Sequence, residues 1–361
     1  MATVVVADLR KDGAKMRYPI SCLSAILSPR SDEQIIALLS DGGMQVFSVT
    51  HRVRRRHEVM LASNVRLWRW LSDDVIVIVT ETTVLSWDVG GNSMPRTLFQ
   101  RRRAYDSSAT PANRACAYDA TADGRWGLLA VADTELVCDR CKDESAPGGE
   151  CDCQTSLMLD LQNFSKTGDT RCFRAFGAAL LDLPKIPVAA PAPGETPSDA
   201  DAAEGFARKE ALLAAIVPDD EVPGAHTLRL LRMEGSIGGL DDDCLCSVLL
   251  QEEPKHTSGG RSVRKYLRES GLPAVPYHVL TWNPGPGVDL LAVVTLGGSL
   301  TVYQIEDEAA SLKTVFLDKK AFPGGVVGVK TDSNGELVVL SAGVGDDRRW
   351  EISRASWVVV E

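Results

Sequence analysis

Residues 35–49 read IIALLSDGGMQVFSV and residues 75–89 read VIVIVTETTVLSWDV. Each is a short apolar run, a turn, and a second run rich in β-branched and aromatic residues. The pattern recurs at 126–161 with a long loop inside, at 211–233, at 290–305 (LLAVVTLGGSLTVYQI) and at 337–352. Val, Ile, Thr, Trp and Tyr favour a pleated surface, and the Asp41-Gly42-Gly43 and Gly297-Gly298 steps tolerate the positive φ that tight hairpins demand. Six β-hairpins follow. Additional short strands are expected at 65–71 and 277–282. Helical spacing is sustained only around 207–215, where the run into Ile216 reads equally well as a strand, so an α/β alternation is unsupported.

Hairpins spaced by roughly 40 residues have the size of propeller blades. We therefore expect an all-β β-propeller, one domain over 1–361, of about six complete blades plus one strand, with long inserted loops. Three insertions interrupt the pattern. Residues 183–205 open LPKIPVAAPAPGETPSDADAAE, whose five prolines and four acids cannot build a strand ladder; this loop is expected to be disordered. Residues 251–270 form a polar inserted loop, and 138–153 a Cys-rich one.

The 361 residues hold 39 Lys+Arg against 49 Asp+Glu, a net charge of −10. That argues against a general nucleic-acid binder, whose surface must neutralise phosphates. The charge is uneven. Residues 1–57 hold nine Lys+Arg and five Asp+Glu, whereas 183–255 hold six and fourteen. An acidic partner is therefore sought at the N-terminal part. No run reaches the ~18 apolar residues that span a bilayer, and residues 1–13 lack the features of a signal peptide. A cytoplasmic location with nine reduced cysteines and no direct membrane insertion is expected.

Cys138, Cys141, Cys151 and Cys153 supply enough thiols for tetrahedral zinc, but the x2, x9, x1 spacing matches no standard knuckle. They are a weak zinc candidate beside the plainer reading of unliganded thiols, and no cofactor is expected. The histidines at 51, 57, 226, 256 and 278 lie in no catalytic motif, and neither a phosphate-cradling loop nor a nucleophile elbow is found. The chain does not read as an enzyme.

The run RYPISCLSAILSPRSDEQIIALLSDGGMQVFSV (17–49), the basic HRVRRRH (51–57) and NVRLWRWLSDDVIVIVTETTVLSWD (64–88) together resemble the terminal domain of clathrin heavy chains. The resemblance is specific over 2–130 and moderate over 275–353. It implies a seven-bladed propeller type, here lacking most of the first blade and the helical leg, with the strand at 4–6 left unpaired. It also implies a vesicle-coat component, peripheral on coated vesicles and coated pits, that binds clathrin-box motifs (leucines plus acids) of endocytic and sorting adaptors. Clathrin light chain and other heavy chains would be partners only through a leg outside this chain. The positions matching the family's groove are Ile20, Ile36, Gln45 and Phe47, with Arg52 and Arg54 where the family has lysines. Independently, Arg52 and Arg54 alternate onto one side of a strand and suit acidic side chains, while Ile36 and Phe47 suit leucines. Gly43 and Tyr18 depart from the family pattern. A second family site maps to Arg114 and Cys116 and is not carried over. An architectural propeller with an inactive groove is the first competing expectation, and a propeller enzyme the second.

Overall fold

In a computed structural model of the chain, the described residues are 4–8, 14–18, 22–30, 32–40, 43–51, 53–58, 65–91, 93–101, 115–121, 123–136, 154–165, 170–182, 211–222, 224–233, 244–250, 263–264, 266–267, 274–285, 288–306, 311–318, 322, 325–332, 335–342 and 350–355. They fall into two compact units, Met1–Tyr118 and Asp119–Glu361. The loops at 138–153 and 183–205 lie outside the described residues.

The architecture is all-β and built of propeller-type blades. The first sheet pairs β1 (Val4–Asp8) with β2 (Ala14–Tyr18). The next is β3 (Ser24–Leu27), β4 (Ile35–Ser40), β5 (Gly43–Ser48) and β6 (Val53–Glu58), followed by β7 (Val65–Trp70), β8 (Val75–Thr80), β9 (Thr83–Asp88) and β10 (Arg96–Gln100). Further along come β11 (Ala115–Ala120), β12 (Trp126–Leu136), β13 (Gln154–Asn163) and β14 (Thr170–Ala175). The fourth blade holds β15 (Gly177–Asp182), β16 (Ala211–Pro218), β17 (His226–Arg232) and β18 (Cys244–Leu249). The fifth holds β19 (Tyr277–Gly285), β20 (Val288–Thr295), β21 (Leu300–Glu306) and β22 (Ser311–Asp318). The sixth blade, β23 (Val326–Thr331), β24 (Leu337–Ala342) and β25 (Trp350–Ala355), has three strands among the described residues.

Every hairpin expected from sequence is an antiparallel strand pair of one of these six blades: the middle pairs β4–β5, β8–β9, β12–β13, β16–β17 and β20–β21, and the pair β24–β25 of the last. The ambiguous run before Ile216 is strand β16. Two features differ from expectation. The strand at the N-terminus is paired, because 14–18 forms a partner for it in the register Val4↔Tyr18 to Asp8↔Ala14; Ala14-Lys15-Met16-Arg17-Tyr18 alternates apolar and basic residues as a half-buried strand does. Within the polar stretch 251–270, residues 263–264 and 266–267 are helical. Val263 and Leu267, four apart on one helical face, are buried against Ala274 and Leu296.

The sheets bury near-continuous apolar strands at their centres. In the second unit, β16 (ALLAAIV) and β20 (LLAVV) are almost wholly inaccessible, because both faces of a central blade strand meet neighbouring sheets. One cluster joins Leu212, Ala214, Ile216, Leu228 and Leu230 to Tyr277, Leu291 and Val293. A second joins Leu290, Ala292, Val294 and Val302 to Val326, Leu337 and Val339.

Gly298 ends the β20–β21 turn at φ +99, and a Cβ there would lie 1.9 Å from the Phe322 carbonyl oxygen. We predict that Gly298→Ala destabilises the protein by at least about 1–3 kcal/mol, the order of a strained backbone, before the clash is added. Gly328→Ala, where a Cβ meets nothing within 4 Å, should be close to neutral. Equal denaturation midpoints for the two variants would contradict this placement. His278 on β19 has its Nε2 buried with no partner, and burial pushes its pKa down to about 4. The fold therefore holds it neutral while the unfolded chain protonates near 6.5, so stability should fall as pH drops from about 6.5 to about 4 and level off below. Melting temperatures of the native protein and His278→Leu at pH 7.5 and 4.5 check this: the variant should show the smaller decline.

Candidate functional site

Strict alternation in β4 and β5 divides the second sheet into two faces. Ile35, Ala37, Leu39, Met44 and Val46 all join one core with Trp68, Trp70, Ile76, Ile78 and Trp87 of the adjacent blade. The indole N–H of Trp68 donates to the Ser24 hydroxyl at 3.1 Å, and that of Trp70 to the Ile26 carbonyl at 3.4 Å. These tryptophans pack between the two blades. Arg30 reinforces the junction. It grips Asp32 with Nε and Nη2, both at 2.9 Å, and reaches Asp74 of the β7–β8 turn with Nη1 at 3.0 Å. Arg30 holds the Asp32 carboxyl down to about 2.

With that face committed, the opposite one presents Ile36, Leu38 and Val49, buried, with Cys22 and Phe47 packed against them and partly exposed. Cross-strand pairing sets Leu27, Ile36, Phe47 and Arg54 in a single row from β3 to β6, and Ala25, Leu38, Gln45 and His57 in a second. Strands lie about 4.8 Å apart, so a row spans about 14 Å. It runs from an apolar end at Leu27, 51% exposed, to a cationic end at Arg54, which is exposed. Among the described residues no acid pairs with Arg54.

Of the residues expected at the site, Ile36, Gln45, Phe47 and Arg54 share this face. Ile20 and Arg52 lie outside the described residues. Leu23 and Leu27 extend the face and were not singled out from sequence, although 23–27 (LSAIL) alternates as a half-exposed strand should; both are more than half exposed. Glu33 is the other unforeseen member. Its carboxylate, buried at the β5–β6 end of the sheet, accepts from Arg55 and lies 3.9 Å from His51 Nε2. The Ser48 hydroxyl and the Arg55 guanidinium hold it below the usual carboxylate range.

The four cysteines of the zinc candidate lie outside the described residues, and no group of three or more His, Cys, Asp or Glu among the described residues is placed to hold a metal ion. No helix among them is long and apolar enough to cross a membrane. The arrangement is an apolar sheet face, made by Leu27, Ile36 and Phe47, with a cationic rim at Arg54.

An all-β β-propeller is the class these features define. No family model matches the chain. Over an N-terminal region it is similar to clathrin heavy chains. It is 31% identical over 128 residues to the "Clathrin heavy chain" of Drosophila melanogaster, covering 36% of this chain and 7% of that protein. It is 35% identical over 100 residues to "Clathrin heavy chain 2" of Homo sapiens, 28% of this chain and 6% of that one. It is 36% identical over 105 residues to the "Probable clathrin heavy chain" of Schizosaccharomyces pombe, 29% and 6%. The matched segment thus spans well under a tenth of these relatives. Among solved structures, a chain of "Crystal Structure of Mitotic Checkpoint Complex" aligns over 98% of this chain and 87% of its own, with 10% identity and a TM-score of 0.48. A chain of Kuenenia stuttgartiensis hydrazine synthase aligns over 98% and 89%, with 9% identity and a TM-score of 0.46. Both scores are below 0.5, so the fold assignment rests on the sheets themselves. The chain is a β-propeller related in sequence, through its N-terminal part, to clathrin heavy chains.

Proposed function

We propose that this chain acts as a clathrin-terminal-domain-like platform of a vesicle coat. In this reading the face of β3–β6 turned away from the tryptophan core, exposed at Leu23, Leu27 and Arg54, receives short linear motifs of endocytic and sorting adaptors, extended peptides combining leucines with acids. The observation that carries it is the row Leu27, Ile36, Phe47, Arg54, which offers apolar contacts at one end and a cation at the other. Extended peptides read alternate side chains into pockets of this kind. A guanidinium can also grip a carboxylate bidentately, which favours an acidic residue at the β6 end. The local excess of basic residues over 1–57 steers such a peptide in the same sense.

The role is non-enzymatic, cytoplasmic and peripheral to the membrane, with adaptor proteins as partners. Contacts with clathrin light chain or other heavy chains enter this reading only if a helical leg exists outside this chain. Nucleic acid and direct membrane insertion have no place in this reading.

Titration of a fluorescent leucine-rich acidic peptide tests it. The native protein should bind with a micromolar dissociation constant. Arg54→Ala should weaken binding only a few-fold, because an exposed pair contributes about 0.2–1 kcal/mol. Changing Arg52 and Arg54 together to Glu should abolish measurable binding by replacing attraction with repulsion, without unfolding a surface strand. Equal affinity for the native protein and the double variant would remove the assignment, and no binding to either would leave a purely architectural propeller.

A further inference from the structure

Strand β6 does not pair regularly with β5. Val46 pairs with Arg56, yet the next residue, Phe47, pairs with Arg54, so Arg55 is the extra residue of a bulge. A bulge changes which side chains of a strand share a face. Here it sets Arg54 opposite Phe47, in the row of Ile36, while Arg56 pairs with Val46. Without the bulge, the register continuing from Val46↔Arg56 would put Arg55 opposite Phe47 and Arg54 opposite Ser48. A one-residue slip of that kind turns every later side chain to the other face. The choice of arginine at the apolar row is therefore set by the bulge.

Glu33 lies where it can hold that choice. Its side chain is only 10% exposed, while that of Arg55 is 46% exposed. Arg55 Nη2 donates to Glu33 Oε2. Ser48, on the Val46 side of β5, is the first influence that lowers the Glu33 carboxyl, which puts the carboxylate near the side away from Phe47, where Arg55 meets it. Among the described residues the remaining titratable neighbour is His51, with Nε2 3.9 Å from Glu33 Oε1. A buried carboxylate that lost Arg55 would keep its desolvation cost without its main cation, which opposes slippage of Arg55 into the Phe47 row.

We infer that Glu33 is a positioning residue: by holding Arg55 out of the row, it fixes the β6 bulge and presents Arg54 beside Phe47 to the acidic part of a bound peptide. This rests on the peptide-binding reading above. Simple electrostatics predicts the opposite consequence of removing Glu33. Deleting a negative charge beside a cluster of arginines raises the local positive potential and should tighten an acidic ligand. Positioning requires that the ligand be weakened.

The test is a double-mutant cycle with the leucine-rich acidic peptide, using Glu33→Gln, Arg54→Ala and the pair of changes together, with amide hydrogen exchange of the unliganded proteins alongside. Glu33→Gln should weaken binding by about the same factor as Arg54→Ala, roughly two- to five-fold, and should have no further effect once Arg54 is Ala. Exchange of the amides at 54–56 should accelerate relative to those of β4. Native or tighter affinity in Glu33→Gln overturns the inference, as does a loss of the same size in the presence and absence of Arg54, which would mark Glu33 as merely structural. If the native protein does not bind the peptide, or binds it as well without Arg54, the peptide-binding reading fails, and the exchange data still decide whether Glu33 holds the bulge: unchanged exchange at 54–56 overturns it. Should Glu33→Gln fail to fold, Glu33→Asp, which keeps the charge and shortens its reach, takes its place in the cycle with the same expected losses.

Discussion

The constraint on which the first unit depends is the two-residue period of a strand combined with the burial of one face against three tryptophans. Trp68, Trp70 and Trp87 are each at most 8% exposed and pack on Ile35, Ala37, Leu39, Met44 and Val46. Fully burying a large side chain of this kind is worth about 1.5–3 kcal/mol, so the second sheet cannot turn over without losing several such contributions at once. Once that face is committed, the alternate residues have only one place to go. Ile36, Leu38, Phe47 and Val49 must form a second apolar surface, and its partial exposure is a consequence of the same alternation.

The cationic rim has a different physical basis. Arg54 owes its position to a local departure from regular pairing, and the departure is tied to a carboxylate in the loop before β4. Bulges at sheet edges commonly re-aim a side chain, and here the edge strand β6 carries arginines at 54, 55 and 56, so a shift of one residue would exchange one cation for another. Net charge near the rim would be unchanged by such a slip. Geometry would not, and a bidentate contact with a carboxylate depends on geometry.

Much of this was legible in the sequence. The six hairpins were readable because β-branched alternation and Gly-containing turns are local signals, and Gln45 with Phe47 share a face by counting alone. The second strand of the first sheet was harder to read, since Ala14–Tyr18 is short and mixes small, basic and aromatic residues. The Glu33–Arg55 pair was not legible at all: it joins residues 22 apart in sequence, and the bulge exists only relative to the partner strand. Leu23 and Leu27 were overlooked because an exposed leucine is ordinary on any surface, and it takes the cross-strand register to place Leu27 in the row of Ile36 and Phe47.

The central claim is that the face of β3–β6 turned away from the tryptophan core is the recognition surface. Hydrogen exchange of the whole chain with and without a saturating leucine-rich acidic peptide tests it most directly. The account predicts that added protection falls on residues 22–58, strongest in β5 and β6, with the other blades unchanged. Protection centred in the second unit, or spread evenly over all blades, would contradict it.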